Sequence, residues 1–337
     1  MSLLKVNELG VRYSTDTGEV RAVDDVNFRI KEGETFGLVG ESGCGKTTLG
    51  KSILRLLDDN GYIAEGDIKF KDKDLSSMPP AEIRDTRWAE ISTIPQSSMT
   101  GLNPVYKVGD QIVEAIVRHE DVTQEEAHER ARDLLERVGI DRERAEDYAH
   151  EFSGGMKQRA MIAMAIACGP DLIIADEPTT ALDVIIQDEI LAEIEELQEE
   201  LGMSMLIISH DISVIAETCD RVGVMYGGKM MEAGPTDDVI SNPSNPYTMG
   251  LKNSFPSIED AGDRRLVSIP GSTPALTDPE PGCRFRARCP FAEPECSTSH
   301  PEMFEVDGRT EHKSACYRLD DLEELQERSR EEETWTQ

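Results

Sequence analysis

The segment Gly40-Glu41-Ser42-Gly43-Cys44-Gly45-Lys46-Thr47 constrains this chain more than any other eight residues. It matches the phosphate-loop pattern G-x-x-x-x-G-K-[ST] completely. The apolar run Phe36-Gly37-Leu38-Val39 before it reads as a strand and the residues after it as a helix, which is the context that gives the match meaning. The glycines let backbone N–H groups curl around phosphates at a helix N-terminus. Gly40, Ser42, Gly43, Gly45, Lys46, Thr47 and Thr48 are the expected ATP contacts. Among them Lys46 reaches the β- and γ-phosphates, and the Thr47 hydroxyl holds Mg²⁺. Cys44 occupies a variable position and has no expected catalytic role.

The surrounding pattern predicts an α/β domain over residues 1–235. Leu172-Ile173-Ile174-Ala175 and Met205-Leu206-Ile207-Ile208 are short apolar runs that suit strands covered on both faces. Ile186, Ile190, Ile194, Leu197 and Leu201 keep helical spacing, and Gly202 supplies a stop. A helix-rich insert interrupts the domain from about residue 96 to 170. There Thr123 with Glu126 makes a capping box, and Ala127, Ala131, Leu134, Leu135 and Val138 share one apolar face. After Gly234 the composition turns to Pro, Ser, Asn and Gly, predicting a linker over 236–254. An irregular segment with four cysteines follows over 255–318, then a charged tail over 319–337 read as a short helix running into disorder.

Two carboxylates, Asp176 and Glu177, end the predicted strand that starts at Leu172. Asp176 suits Mg²⁺ binding and Glu177 suits polarising an attacking water. Phe152-Ser153-Gly154-Gly155-Met156-Lys157-Gln158-Arg159, about 20 residues upstream, closely resembles the signature motif of ATP-binding-cassette (ABC) proteins. The other markers of that family follow in order. Tyr13 resembles the adenine-stacking aromatic, Gln96 the Q-loop glutamine, Ala181-Leu182-Asp183 the D-loop, and His210 the switch histidine. The resemblance covers about residues 3–235. It implies an ABC ATPase fold, a P-loop NTPase core with an antiparallel β subdomain and an inserted α-helical subdomain. It further implies Glu177 and His210 as catalytic residues and Thr47, Gln96 and Asp176 around Mg²⁺. Ser153, Gly154 and Gly155 then face ATP bound by a second ABC ATPase subunit, a paralogue or a second copy, and Asp183 is a further ATP contact.

The branch of the family is indicated by Gly101-Leu102-Asn103-Pro104, by Asn242-Pro243-Ser244-Asn245-Pro246-Tyr247-Thr248, and by the late cysteines. These resemble oligopeptide and dipeptide importer ATPases, with Asn245 where a His is usual. The resemblance implies two transmembrane permease subunits and an extracellular solute-binding protein as partners, placing this chain at the cytoplasmic face of the membrane. Cys283, Cys289, Cys296 and Cys316 lack the C-x2-C pair usual for structural zinc. The same resemblance implies a [4Fe–4S] cluster; zinc, and free thiols or a disulfide, are the alternatives. Nickel or sugar import, or a non-transport ABC ATPase, are the rival functions.

Composition narrows these choices. Acidic residues number 67 against 35 basic, a formal net charge of −32, which opposes a nucleic-acid partner. The start, Met1-Ser2-Leu3-Leu4-Lys5, is too short in apolar residues for a secretory signal. Only 12 of the basic residues are lysine, and an evenly acidic, lysine-poor surface resembles proteins of salt-loving organisms, a resemblance that implies a halophilic archaeon as the source.

Overall fold

The computed structural model of the chain describes residues 1–96, 101–180, 183–254 and 268–335. It has two compact units, each assembled from separated stretches: Met1–Leu3, Ile30–Thr35 and Ser77–Ile208 form the first, and Leu4–Arg29, Phe36–Ser76 and Ser209–Gln337 the second. The strands in chain order are β1 (Ser2–Thr15), β2 (Gly18–Lys31), β3 (Thr35–Val39), β4 (Gly61–Phe70), β5 (Lys73–Asp74) and β6 (Ile91–Ile94). They continue as β7 (Leu172–Asp176), β8 (Ser204–Ser209), β9 (Arg221–Tyr226), β10 (Lys229–Pro235), β11 (Phe304–Val306) and β12 (Arg309–Ser314).

In the first unit β6, β7 and β8 run parallel, with Ile173 opposite Ser92 on one side and Met205 on the other. Both flanking apolar runs are buried throughout, as strands covered on two faces must be. The helical insert holds helices Val108–His119, Gln124–Arg137 and Gly154–Ala165. The capping box forms as expected: Thr123 accepts from the Glu126 N–H, and Glu126 accepts from the Thr123 N–H. Ala127, Ala131, Leu134, Leu135 and Val138 are all buried. Helix Val184–Leu201 ends at Gly202 in the left-handed conformation (φ 64°), where a glycine carries no Cβ penalty. Its apolar stripe is narrower than the spacing predicts. Ile190, Ile194 and Leu197 are buried, but Ile186 is half-buried and Leu201 lies exposed in the final turn.

In the second unit an antiparallel sheet has the order β2-β1-β4-β5. From Val26 to Lys31, β2 alternates buried and exposed residues, the pattern of a sheet with one wet face. A further set of strands, β11-β12-β10-β9-β3, carries the phosphate loop at the end of β3. There β3 lies parallel to β9, and the remaining pairs are antiparallel.

The late part of the chain is more ordered than its composition predicts. The tail forms helix Leu322–Ser329 and a last turn, Glu332–Trp335. Trp335 is buried, packs edge-on against Phe291 (centroids 6.5 Å apart), and donates its indole N–H to the Ser329 carbonyl (2.8 Å). One large aromatic with its polar handle satisfied offsets the ordering cost of the turn around it.

An ion cluster ties the cysteine-bearing segment to β2. Asp24 lies 2.7 Å from Arg284, 3.1 Å from Arg12 and 3.4 Å from Lys229. Burial pushes its carboxyl pKa up, but Lys229, Arg12 and Arg284 outweigh that and hold it below the usual range. Two of these cations, Lys229 and Arg284, bear on His300, whose Nδ1 accepts from the Arg284 N–H (3.3 Å). Burial first, then Lys229 and Arg284, push the His300 pKa down to about 3. The unfolded chain takes up this proton near pH 6.5 and the folded chain resists it until about pH 3, so the stability contribution is complete above pH 6.5 and lost as pH falls. Between pH 7 and 4.5 this histidine alone is expected to remove about 2–3 kcal/mol. Denaturant unfolding at the two pH values should show His300→Gln losing less stability by about that amount; an equal loss would contradict it.

Candidate functional site

The phosphate loop leaves β3 at Gly40 and enters helix Lys46–Ile53. Its glycines are required by contact as well as conformation. A Cβ on Gly45 (φ 108°) would stand 2.2 Å from the Ala22 carbonyl oxygen, and one on Gly40 would stand 2.1 Å from that of Met225. Real Cβ atoms do not approach oxygen so closely, so only glycine lets the loop lie against these strands. Lys46 is buried, and its Nζ donates to the carbonyls of Gly40 (2.6 Å) and Glu41 (3.1 Å). The ammonium therefore folds back over the loop it serves. Ser42 and Gly43 are exposed at the tip, and Thr47 and Thr48 are half-buried in the first helical turn. Cys44 is buried beneath the loop, and burial pushes its thiol up despite the nearby Lys46. Tyr13 lies on β1 opposite Gly61, where a side chain would collide with its ring at 2.7 Å.

His210 is exposed just after β8. Its neighbours fix the backbone there: the Asp211 N–H donates to Ser209 Oγ (2.9 Å), and Asp211 Oδ1 accepts from the Ser213 N–H (2.8 Å).

The first unit carries the other predicted residues. Asp176 closes β7 and Glu177 follows at φ 50°, a left-handed conformation unusual for a side-chain-bearing residue. The Glu177 N–H donates to the Ile208 carbonyl (2.8 Å), which holds the strained turn against β8. Glu177 Oε2 accepts from Gln96 Nε2 and from Thr180 Oγ1, both at 2.9 Å. Sequence spacing placed Gln96 and Glu177 in separate motifs; the fold joins them directly. Ser153 caps helix Gly154–Ala165, accepting from the Met156 N–H (3.3 Å), so Gly154 and Gly155 open the helix. Asp183 caps Val184–Leu201 by accepting from the Ile186 N–H (3.1 Å). Ala181 and Leu182 lie outside the described residues.

Cys283, Cys289, Cys296 and Cys316 line one cavity of about 20 Å³ together with Phe285, Phe291 and Arg286. Burial pushes the thiols of Cys283, Cys289 and Cys316 up, the last to about 11. Four soft sulfur donors around one point suit iron–sulfur or zinc in kind. The cavity as folded has room for about one water, and among the described residues no group of three or more His, Cys, Asp or Glu has metal-holding geometry. The donor set fits a metal centre; its present spacing does not.

Sequence reasoning missed several buried polar residues. Glu232 on β10 is fully buried, accepting from the N–H groups of Ser244 (2.7 Å) and Asn245 (3.0 Å) and lying 2.8 Å from His312 Nε2. Asn245 donates to the carbonyls of Met231 (3.1 Å) and Ala315 (3.0 Å) and accepts from the Tyr247 N–H (3.0 Å). Arg288 reaches Glu41 in the phosphate loop. A glutamate following two methionines in a strand pattern was the available signal for Glu232; nothing local marks Arg288.

Comparison with known proteins finds relatives along nearly the whole chain. The family model described as ABC transporter matches residues 23–180, and that described as Oligopeptide/dipeptide transporter, C-terminal region, matches residues 231–296. The oligopeptide transport ATP-binding protein OppD of Bacillus subtilis is 45% identical over 307 residues, covering 90% of this chain and 86% of that protein. The dipeptide transport ATP-binding protein DppD of the same organism is 46% identical over 302 residues, covering 89% and 90%. Among solved structures, the dimeric post-hydrolysis state of the ATP-binding cassette MJ0796 bound to ADP and Pi has a TM-score of 0.63 at 26% identity, covering 69% of this chain and 98% of that one. With a phosphate loop, a capped signature helix and these relatives along nearly its whole length, the chain belongs to the ATP-hydrolysing subunits of ABC transporters, in the group that carries the oligopeptide/dipeptide transporter C-terminal region.

Proposed function

We propose that this chain hydrolyses ATP to drive uptake of dipeptides or oligopeptides through a membrane complex. The observation that carries the reading is the match to peptide-transport ATP-binding proteins across about 90% of the chain, continuing through the C-terminal region beyond the cassette. The partners are a second ABC ATPase, two permease subunits and an extracellular solute-binding protein. No described helix is long and apolar enough to cross a membrane, so the permeases supply the pathway and this chain docks on its cytoplasmic side. The expected result is that the complex purified through its permeases hydrolyses ATP faster when a peptide-loaded binding protein is added. Stimulation by nickel or a sugar instead, with none by peptides, would overturn the peptide assignment.

In this reading residues 1–235 are the ATPase domain, 96–170 its helical insert, 236–254 a linker, 255–318 the cysteine-bearing extension and 319–337 the tail. Tyr13, Gly40, Ser42, Gly43, Gly45, Lys46, Thr47, Thr48, Gln96 and Asp183 contact ATP, and Ser153, Gly154 and Gly155 contact ATP held by the partner subunit. Lys46 neutralises phosphate charge, Glu177 takes a proton from the attacking water, and His210 contacts the γ-phosphate. Mg²⁺, held by Thr47, Gln96 and Asp176, supplies charge neutralisation on the phosphate oxygens when bound.

A [4Fe–4S] cluster on Cys283, Cys289, Cys296 and Cys316 is the finer reading of the extension; it rests on the four-thiol donor set and not on the cavity of about 20 Å³, which is too small for a cluster as folded. Anaerobically purified protein is expected to be brown, with about four irons per chain; colourless protein without iron would overturn it. The net charge of −32 supports adaptation to high salt. Thermal melts should rise steeply between about 0.1 and 2 M KCl as self-repulsion is screened, and a salt-independent Tm would overturn that reading.

A further inference from the structure

Glu41, the second residue of the phosphate loop, is held from two distant parts of the chain. Its backbone N–H donates to Tyr247 Oη (2.9 Å), and its carboxylate oxygens accept from Arg288 Nη1 at 3.0 and 2.8 Å. Arg288 is itself immobilised. Nη1 also donates to Tyr226 Oη (3.1 Å), Nε to the Pro270 carbonyl (2.7 Å) and Nη2 to the Ile269 carbonyl (3.2 Å). The guanidinium lies 5.6 Å from the centre of the Tyr226 ring. Its side chain is 8% exposed against 26% for Glu41, so the ion pair is screened from water mainly on the arginine side. The rings of Tyr226, Tyr247 and Phe285 pack with centroids 4.6 to 5.3 Å apart, making a stiff base under the pair. Arg288 immediately precedes Cys289, and Phe285 follows Cys283 by two residues.

A phosphate loop binds by presenting backbone N–H groups in a fixed curl. Any freedom it has when empty must be given up on binding, at about 1–2 kcal/mol per residue ordered. The loop tip at Ser42 and Gly43 is exposed, and Gly43 finds nothing within 4 Å of where a Cβ would stand. Order at the tip therefore comes from its flanks, and Glu41 is the flank held by side chains of other segments.

We propose that Arg288 is a positioning residue for nucleotide binding, pre-ordering the phosphate loop through Glu41 and making the cysteine-bearing segment a support of the ATP site. The proposal rests on ATP binding at Gly40–Thr47. It acts through order and not charge: Arg288 touches Glu41 and no other loop residue, so the whole effect passes through that carboxylate. Coupling is reciprocal, so bound nucleotide should in turn steady the segment 283–289.

The test is a mutant cycle in the full-length chain, with affinity for a non-hydrolysable ATP analogue measured by calorimetry. Lys46→Ala must lose binding; if it binds as wild type, the ATP site lies elsewhere and the proposal falls with that assignment. Arg288→Gln is expected to weaken affinity about tenfold, and Arg288→Lys, which keeps a donor near the carboxylate, about threefold or less. Glu41→Gln with Arg288→Gln should be no weaker than Arg288→Gln alone. In turnover the loss should appear in KM, with kcat within about twofold. Amide hydrogen exchange over 283–289 should slow on adding the analogue in wild type and not in Arg288→Gln. Affinity of Arg288→Gln within about twofold of wild type, or losses that multiply in the double variant, would overturn the proposal. Should Arg288→Gln fail to fold, Glu41→Gln alone decides. Loss of the tether weakens binding, whereas loss of a negative charge beside an anion tightens it, so tighter binding overturns the proposal.

Discussion

Glu177→Gln is expected to bind ATP about as wild type does and to lose turnover by a factor of roughly 10²–10⁴, the usual contribution of a positioned general base. The substitution is nearly isosteric and keeps an oxygen that can accept from Gln96 and Thr180, so the turn survives while basicity goes. The backbone argues for the same residue. A glutamate at φ 50° costs on the order of 1–3 kcal/mol and persists only where neighbours impose it, here through the bond to the Ile208 carbonyl. Such strain collects where a side chain must point in one direction. Single-turnover hydrolysis and equilibrium ATP binding on the same preparation check the expectation. Turnover within tenfold of wild type would move the base to another residue.

The largest effect on stability is expected from Glu232→Ala. Its carboxylate is fully buried and meets three groups: two backbone N–H donors from the Asn242–Pro246 turn and the His312 ring from β12. Removing it leaves all three without that partner in a site closed to water, a loss of about 3–5 kcal/mol. Glu232→Gln keeps one carbonyl acceptor and should cost less than half as much. Denaturant unfolding of the three proteins gives the ranking; equal stability of wild type and Glu232→Ala would show that the turn repacks without the carboxylate.

Much of the fold was legible because its signals are local. The capping box at Thr123 and Glu126 needs three residues of separation, and the stop at Gly202 needs only a left-handed φ. Apolar runs of four or five residues predicted β3, β7 and β8 because a strand buried on both faces has no polar position to spare. The tail was misread as running into disorder because its charge dominates its composition, while its order comes from Trp335 meeting Phe291, 44 positions earlier in the chain. Leu201 was misplaced in the buried stripe because helical spacing does not reveal where cover ends.

By itself the sequence determined the nucleotide chemistry and the family. A loop that wraps phosphate with backbone N–H groups must have glycine, lysine and threonine at set intervals, and that requirement is written in eight consecutive residues. Only the tertiary structure decided which groups hold that chemistry in place. Arg288 meets Glu41 across 247 residues, Gln96 meets Glu177 across 81, and Glu232 meets His312 across 80. Side chains that pair at such separations carry no periodicity and no fixed spacing. They find each other only because the backbone between them has already been folded by the burial of apolar surface.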